Sequence, residues 1–332
     1  MIELGYEGAF KQKSRESMGQ YGKVDGCATF WKTDSFQLLE DNSFEFNESA
    51  SRMVQGLNLD SSMSRKFMQR LSKDNIAHVL ILDSLHSHNL LLANMAPGSD
   101  NEFVASLNSA KICVVNTHIY SNQSFPDVKL WQTWTLTQEV EQICGAYQNR
   151  MQQQQQQYNS MNDDKEKMIS QQLSTVVCGD FNSEPTSAVY ELLRYGQIET
   201  SHSELDAVWQ NSHSVRVLPD LENVNHNFEW SSVMDSVYGS EPLFTNYTSN
   251  YKGTLDYMFY SHSTMQVLTA THFPDEKSLL DINAGGLPNV RYPSDHLMLS
   301  CALAIAINLV PSRVGRATYN SRMGNSPALS SK

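Results

Sequence analysis

Short apolar runs bordered by abrupt polar clusters are the feature that most restricts how this chain can fold. Three such clusters are prominent, and they occupy residues 114–118 (VVNTH), 176–182 (VVCGDFN) and 292–296 (YPSDH). An apolar, β-branched run of roughly four to six residues is typical of a buried strand, so polar residues that border it are expected at the rim of a sheet. The sequence therefore predicts one polar site assembled at the edge of a buried sheet.

The residue types in these clusters fit one kind of chemistry. Asp and Asn oxygens suit a hard cation such as Mg²⁺, and the same oxygen-rich shell also accepts Mn²⁺. A histidine can hydrogen-bond a phosphate or assist proton transfer. Together, the clusters predict a metal-dependent phosphoesterase site.

Composition and charge narrow the class of protein. With 332 residues and 40% hydrophobic content, the chain is long enough for one large domain or two small ones. Five cysteines without a CxxC pair argue against a disulfide framework and a structural zinc site. No secretory signal and no apolar span of about 20 residues is visible, so we expect a cytoplasmic or nuclear protein without membrane contact. The net charge of −12 counts against tight, non-specific binding to duplex nucleic acid.

The pattern of apolar residues predicts a chain of strands with two clear helices. One helix is expected at residues 126–147, and a second begins after Pro185 and turns Ala188, Val189, Leu192 and Leu193 towards the core. Strands are expected at residues 28–31, 36–39, 77–82, 111–115, 175–178, 254–260, 265–268 and 297–303.

Two polar segments are expected to be disordered. Residues 148–172 include an uninterrupted glutamine tract at 152–157, which buries too little apolar area to order itself. The tail at 309–332 carries basic residues and no acidic residue. We expect a flexible tail that is either simply solvated or in contact with RNA or a partner.

Several residues in and near the clusters have both a catalytic and a structural interpretation. Asp180 and Asn182 project to one side if the strand continues between them, whereas Asn182 or Ser183 could instead cap the following helix. His118 could hydrogen-bond a phosphate, or it could be a satisfied strand-end histidine. A carboxylate inside an apolar strand is unfavourable unless it is paired, so Asp256 needs a partner. His296 is a suitable one, since a carboxylate fixes a histidine tautomer and favours its protonated form.

At these residues the sequence resembles the endonuclease/exonuclease/phosphatase superfamily. The shared pattern is a strand-end histidine (His118), a Gly-Asp-x-Asn-Ser segment (179–183), a strand Asp (Asp256) and a terminal Ser-Asp-His (294–296). Within the superfamily the chain is most similar to the carbon-catabolite-repressor-type deadenylases, and nocturnin and Angel-type relatives share most of the pattern. The more specific matches lie at residues 6–8, 13–15, 24–28, 73–76, 127–130, 244–248 and 252–253.

The resemblance implies a four-layer α/β sandwich over residues 1–308, in which two antiparallel-rich mixed sheets pack face to face with helices outside. It also implies a 3′-5′ exoribonuclease that uses Mg²⁺ to shorten single-stranded poly(A) RNA and releases 5′-AMP. Subunits of a deadenylase complex are then the expected partners.

The family also implies roles for individual residues. Asp180 would orient or deprotonate the attacking water, while Asn182 and His118 would hold the scissile phosphate. His296, oriented by Asp256, would stabilise charge or assist proton movement. The expected metal ligands are Asp180, Asn182 and Asp295, and the expected substrate-binding residues are Asn116, Asn246 and Tyr251, the last under the terminal adenine.

The chain departs from the family pattern in two places. The Asn and the metal-binding Glu that the family supplies from its first strands are not found, so we expect an N-terminally incomplete fold, from a partial chain or from a homologue without catalysis. Residues 119–123 also lack the Trp-Asp-Pro that usually shapes the adenine pocket.

Three functions therefore remain open. The leading one is the poly(A)-directed exoribonuclease. The alternatives are a phosphatase of a nucleotide or another small phosphate ester, and a catalytically inactive homologue that binds RNA or deadenylase partners.

Overall fold

The predicted apolar runs form most of the strands of a seven-stranded sheet at the centre of the computed structural model of this chain. The structure describes residues 2–306 except 16–17, 20, 23–24, 96–100, 162–171, 206–215, 219, 275 and 280–284. The strands are β1 Tyr6–Gln12, β2 Gly26–Lys32, β3 Phe36–Asp41, β4 Phe44–Glu45, β5 Ile76–Ser84, β6 Lys111–His118, β7 Ser174–Asp180, β8 Trp230–Ser232, β9 Asn246–Tyr247, β10 Lys252–Gly253, β11 Asp256–Ser261, β12 Met265–Ala270 and β13 Cys301–Ile305. The helices are α1 Phe46–Gly56, α2 Ser61–Leu71, α3 Leu85–Asn94, α4 Asn101–Asn108, α5 Pro126–Met161, α6 Ala188–Tyr195, α7 Val233–Tyr238 and α8 Glu276–Leu279.

The order of the central sheet explains where the polar clusters meet. The strands follow each other as β3-β5-β6-β7-β11-β8, and β4 also pairs with β5. Strands β6 and β7 are parallel, while β11 is antiparallel to β7. The ends of β6 and β7 and the start of β11 therefore lie at the same edge of the sheet.

Different layers cover the two faces of this sheet. Helices α1, α2, α5 and α6 pack on one face, against inward side chains such as Val115. On the other face, the β1–β2 pair packs Trp31 against Leu80, and the β12–β13 pair packs Met265 against Tyr260. The predicted α/β class is confirmed. In place of one continuous second sheet, the described residues form two separate strand pairs in this layer.

Helix α5 is longer than the sequence predicts. It runs from Pro126 to Met161 and includes the glutamine tract at 152–157, so the expected disorder is wrong for residues 148–161. Its first half is anchored in the core by Leu136 and Val140, and glutamine is a good helix former that adds turns to a helix already nucleated. Residues 162–171 and the predicted tail at 309–332 lie outside the described residues.

The second predicted helix forms as α6, and the four residues predicted to face the core are buried. The Ser187 side chain accepts the Tyr190 N–H at its start, and Gly196 ends it with φ 74°. The interpretation of Asn182 or Ser183 as the N-cap is therefore wrong, because the chain needs four further residues before it turns into the helix.

Helices α1 to α4 are not predicted from the sequence, because many polar residues separate the apolar ones that recur at helical spacing. Helix α1, for example, buries Phe46, Ala50 and Val54 at intervals of four residues. Strand β13 begins at Cys301, later than the predicted strand at 297–303, because the Leu297 N–H donates to the Thr245 carbonyl instead of to a neighbouring strand.

Two expectations from composition can be compared with the described part of the chain. All five cysteines are free thiols there. None of the helices described has both the length and the hydrophobicity that crossing a lipid bilayer requires.

Candidate active site

Three of the predicted site residues occupy neighbouring strand ends in one row. His118, at the end of β6, is paired in register with Asp180 at the end of β7, and Asp180 is paired with Asp256, the first residue of β11. The His118 Nε2 atom lies 3.5 Å from Asp180 Oδ2. His296, on the loop before β13, places its Nε2 atom 3.9 Å from the same oxygen. The fold thus brings together four residues that come from separate segments of the sequence.

Asp180 lies at the centre of this group. Its Oδ1 atom accepts the backbone N–H of Asn182 at 2.8 Å, while Oδ2 faces both histidines. Burial, reinforced by the negative charge of Asp256, raises the pKa of Asp180 to about 6. Such a carboxyl group is mostly ionised at neutral pH and is a stronger base than an ordinary aspartate.

His118 is held as a neutral imidazole. Burial and the adjacent ammonium of Lys13 lower the pKa of His118 to about 4. Lys13 Nζ lies 3.3 Å from His118 Nδ1, so Nδ1 accepts from the ammonium and the remaining proton is on Nε2. Asn75 fixes the backbone here by donating to the His118 carbonyl at 2.7 Å. The arrangement presents an N–H donor towards Asp180 and the space beside it.

His296 has the opposite protonation state. Its Nδ1 atom lies 2.7 Å from Asp256 Oδ2, which is the pairing that the sequence predicts. This hydrogen bond raises the pKa of His296 to about 8, against the opposing effect of burial. Thr245 donates to the same Asp256 oxygen at 2.6 Å. At neutral pH the imidazolium of His296 therefore faces Asp180 from the side opposite to His118.

The segment after Asp180 turns sharply instead of continuing as a strand. Asn182 has φ 49°, a left-handed conformation that asparagine tolerates better than most residues. The Asn182 Nδ2 atom donates to the Ile119 carbonyl at 2.9 Å. The buried ammonium of Lys129 donates to the backbone carbonyl of Asn182 at 2.6 Å. The condition under which Asp180 and Asn182 would project to one side is therefore not met, and Asn182 is positioned by the turn.

Tyr251 lies on the turn between β9 and β10. Its hydroxyl donates to Glu184 Oε1 at 2.9 Å, and burial together with this carboxylate raises the pKa of the Tyr251 hydroxyl. The bond links the turn to the segment that follows Asn182. Tyr251 is therefore only partly exposed and has a fixed partner, unlike an unattached loop aromatic.

The other predicted residues are placed less uniformly. Asn246 is buried on β9, forms an isolated bridge with His296, and its Nδ2 atom lies 3.4 Å from Asp295 Oδ2. Asn116 lies two residues before the end of β6, and its side chain donates to the Ala28 carbonyl at 3.0 Å. Asn116 is thus set back from the row of strand ends, where it stabilises the contact with β2.

The donor atoms at the sheet edge suit a divalent cation. Asp180, Asp256 and His296 can each offer one ligand atom, and these three atoms lie within 4.8 Å of one another. The negative charge of Asp256 helps to raise the pKa of Asp180, so a cation bound between the two carboxylates would relieve their repulsion. Carboxylate oxygens are also the preferred ligands of hard cations. Among the His, Cys, Asp and Glu residues of the described chain, Asp295 joins no such group of three, so Asp180 is the one predicted carboxylate ligand that belongs to this cluster.

Three clefts at this edge are lined by His118, and two of them are also lined by Ser121. The first, which we call the Tyr251 cleft, has a volume of about 640 Å³ and is lined by Lys129, Asp180, Asn182, Glu184 and Tyr251 among others. The second, which we call the Lys73 cleft, has a volume of about 750 Å³ and is lined by Lys13, Arg15, Lys73, Asn75 and Tyr120 among others. Both volumes fall in the range of ligand sites, roughly 300–1,000 Å³.

No role follows from the sequence for Lys13, Lys129, Thr245 or Glu184, although each contacts a predicted site residue. Lys13, Lys129 and Thr245 do lie in segments that carry the family resemblance, residues 13–15, 127–130 and 244–248. That signal marks the segments but not the contacts, which depend on the folded geometry.

Comparison with known proteins gives consistent matches. Residues 75–296 match the Endonuclease/Exonuclease/phosphatase family. Carbon catabolite repressor protein 4 homolog 1 of Arabidopsis thaliana is 30% identical over 309 residues, which are 89% of this chain and 45% of that protein. The CCR4-Not complex 3′-5′-exoribonuclease subunit Ccr4 of Yarrowia lipolytica is 33% identical over 307 residues, which are 90% of this chain and 37% of that protein.

A solved structure is also similar. The crystal structure of ANGEL2, a 2′,3′-cyclic phosphatase, in complex with adenosine-2′,3′-vanadate is 25% identical, with a TM-score of 0.54 over 91% of this chain and 74% of that chain. The chain spans less than half the length of the two curated relatives.

Proposed function

This chain belongs to the endonuclease/exonuclease/phosphatase family, and on that basis we propose that it is a magnesium-dependent 3′-5′ exoribonuclease that shortens poly(A) tails and releases 5′-AMP. The observation that carries the proposal is the row of His118, Asp180 and Asp256 with His296 beside it. The similarity to relatives named as 3′-5′-exoribonuclease subunits supports the choice of reaction.

The proposed chemistry is an in-line attack of water on the last phosphodiester. Asp180 accepts a proton from the water as the water oxygen bonds to phosphorus. The bond from phosphorus to the 3′-oxygen breaks, and that oxygen takes a proton from solvent and leaves as a hydroxyl, while Asp180 returns its proton to solvent. Water adds its oxygen to the phosphate of the released nucleotide, so the product is a 5′-monophosphate.

The two histidines then have different tasks. Neutral His118 donates one hydrogen bond from Nε2 to a phosphate oxygen. The imidazolium of His296 stabilises the negative charge that develops on the phosphoryl oxygens, and Asp256 keeps that ring oriented and protonated. This division of roles depends on the opposite pKa shifts of two residues that face one carboxylate.

Asp180, Asn182 and Asp295 are the residues that we propose to hold Mg²⁺ or Mn²⁺. Asp256 and His296 are left out of this set because they are hydrogen-bonded to each other and His296 is protonated at neutral pH. Within the described chain, no donor is hydrogen-bonded to the Asn182 amide oxygen, which leaves that atom suitable as a ligand. When bound, the cation supplies charge neutralisation at the phosphate and lowers the pKa of a coordinated water.

The Tyr251 cleft is the proposed site of the 3′-terminal adenosine. The ring of Tyr251 offers a stacking surface for the base, which contributes about 1–3 kcal/mol in comparable sites. We also propose association with subunits of a deadenylase complex in the cytoplasm or nucleus, since the Yarrowia relative is named as a CCR4-Not subunit.

The test is digestion of 5′-labelled RNAs that end in oligo(A), oligo(C) or oligo(U), with Mg²⁺, with Mn²⁺ and with chelator. We expect a ladder of shortened products that stops at the end of the A tract and is absent with chelator. Equal digestion of all three tails would remove the poly(A) preference, and no digestion with either metal would remove the exonuclease.

A phosphatase is the second candidate, because ANGEL2 is named as a 2′,3′-cyclic phosphatase. RNAs that end in a 2′,3′-cyclic phosphate or a 3′-phosphate separate the two functions. Loss of the terminal phosphate without shortening of the chain would support the phosphatase instead of the exonuclease.

A further inference from the structure

The Tyr251 cleft and the Lys73 cleft meet at His118. A nucleic acid strand whose scissile phosphate lies at Asp180 would therefore have one part in each cleft. An exonuclease places the scissile phosphate at the reacting groups and the terminal nucleoside on one side of them. The rest of the strand has to leave on the other side. Two other clefts reach His118. The described lining of one, with a volume of about 550 Å³, includes no lysine or arginine, whereas Lys13, Arg15 and Lys73 line the Lys73 cleft. If the Tyr251 cleft takes the terminal nucleoside, the Lys73 cleft is the exit that suits a negatively charged strand.

Lys73 supplies positive charge in this second cleft. Its side chain is half-buried, and burial together with the charge of Arg70 lowers the pKa of Lys73. The acids around it are paired with other cations: Asp74 with Arg15, Asp127 with Arg70, and Asp25 with both Lys13 and Arg15. Among the described residues, the ammonium of Lys73 therefore lines the cleft without a carboxylate of its own, which is favourable for binding a phosphate.

Aromatic rings line the same cleft. Lys73 Nζ lies 5.1 Å from the ring centroid of Tyr120, which packs edge-on against Phe125 at 5.5 Å. The Tyr120 N–H is fixed by the Gln132 side chain at 2.9 Å. At the rim, the side chain of Tyr21 is 81% exposed. Exposed aromatic rings beside cations are the surface to which single-stranded nucleic acids bind, because bases stack and phosphates pair.

We propose that the Lys73 cleft binds the nucleotides of a single-stranded RNA that lie 5′ to the scissile phosphate. Lys73 binds a backbone phosphate and Tyr21 stacks on a base, while the 3′-terminal nucleoside occupies the Tyr251 cleft. This inference rests on the proposed exoribonuclease function, and it divides the substrate between the two clefts at His118.

The test compares a long and a short ligand by fluorescence anisotropy and calorimetry, with chelator present so that no strand is cut. The ligands are an eight-nucleotide oligo(A) and 5′-AMP. We expect Lys73→Met and Tyr21→Ala each to weaken oligo(A) binding about 5-fold to 10-fold and to leave AMP binding unchanged. In Lys73→Met the salt dependence of oligo(A) binding should also change. Loss of one phosphate contact reduces the slope of log K against log salt by about 0.7 for a single strand.

Two matched variants serve as controls. Lys66→Met removes an exposed lysine from α2, and Tyr195→Ala removes a tyrosine that is 68% exposed at the end of α6. Both should bind oligo(A) like the wild type. Tyr21→Ala changes an exposed side chain, so its effect does not depend on the folding of a Lys73 variant.

The outcomes separate this inference from the proposed function. If Lys73→Met and Tyr21→Ala both bind oligo(A) as tightly as the wild type, the inference is wrong and the exonuclease proposal stands. Equal loss of AMP and oligo(A) binding would overturn it too, because the cleft would then not be specific to the upstream strand. If the wild type binds no RNA, both proposals fail together.

Discussion

The residues of the proposed active site fall into two groups that the fold holds in different ways. His118, Asp180 and Asp256 stand on adjacent strands, where the hydrogen-bond ladder of the sheet fixes their spacing. Asn182 and Tyr251 stand on turns, and side-chain bonds to Lys129, Ile119 and Glu184 hold them. We infer that the sheet positions the proposed reacting centre, whereas the proposed substrate pocket depends on a few individual contacts. Mutations should therefore separate the two groups.

The largest effect is expected for Asp180→Asn, in the strand-borne group. The substitution keeps the shape but removes the base, so we expect kcat to fall by about 10³-fold, within the range of general-base catalysis. The measurement is the rate of oligo(A) shortening under single-turnover conditions, with the fold checked by circular dichroism. Asp34→Asn, an exposed aspartate on a turn, is the control and should keep the wild-type rate. A full rate in Asp180→Asn would show that the row of strand ends is not the reacting centre.

The second prediction concerns the hydrogen bond between Asp256, in the strand-borne group, and His296, on the loop before β13. In Asp256→Asn the pKa of His296 should fall from about 8 towards the ordinary value of about 6.5, and kcat should fall about 10-fold to 100-fold. The titration can be followed by NMR of the metal-free protein. An unchanged pKa of His296 in the variant would contradict the assigned pair.

The same pair predicts a pH dependence of stability with a definite sign. Because the pKa of His296 is raised in the folded state, its contribution is fully present below about pH 6.5 and is lost as the pH rises through about 8. We expect the wild type to have a larger unfolding free energy than Asp256→Asn at pH 6. This difference should shrink by on the order of 1 kcal/mol at pH 9. Urea denaturation of the metal-free proteins at the two pH values measures this difference.

Lys129→Met tests the turn-borne group. The lysine holds the Asn182 carbonyl, so its loss should loosen the turn after Asp180 and lower kcat about 10-fold while the protein stays folded. Lys66→Met is the matched control on the surface of α2. Equal rates in wild type and Lys129→Met would mean that the sheet alone positions this segment.

The smallest effects are expected at Tyr251. Tyr251→Ala removes the stacking surface and should raise KM for A-ended RNA about 10-fold, whereas Tyr251→Phe keeps the ring and should change KM by no more than about 2-fold. If the two variants behave alike, the hydroxyl bond to Glu184 matters more than the ring, and the proposed site of the adenine is wrong.

The same two groups explain what the sequence could predict. The strand ends follow buried apolar runs, so His118, Asp180 and Asp256 could be placed at a sheet edge from local pattern, and the partner of Asp256 follows from the unfavourable burial of an unpaired carboxylate. The left-handed turn at Asn182 and its bond to Lys129 join residues 53 positions apart, and no local pattern specifies such a contact. The full length of helix α5 does not follow from the sequence for another reason: its polar composition indicates disorder, although glutamine extends a helix that is already anchored.

The proposed reaction makes water the nucleophile and 5′-AMP the first product, and isotope labelling tests this most directly. Digestion of an A-ended RNA with Mg²⁺ in ¹⁸O-labelled water, followed by mass spectrometry of the first product, is the measurement. We expect 5′-AMP that carries one ¹⁸O in its phosphate. Release of adenosine with inorganic phosphate, or of no product at all, would contradict it.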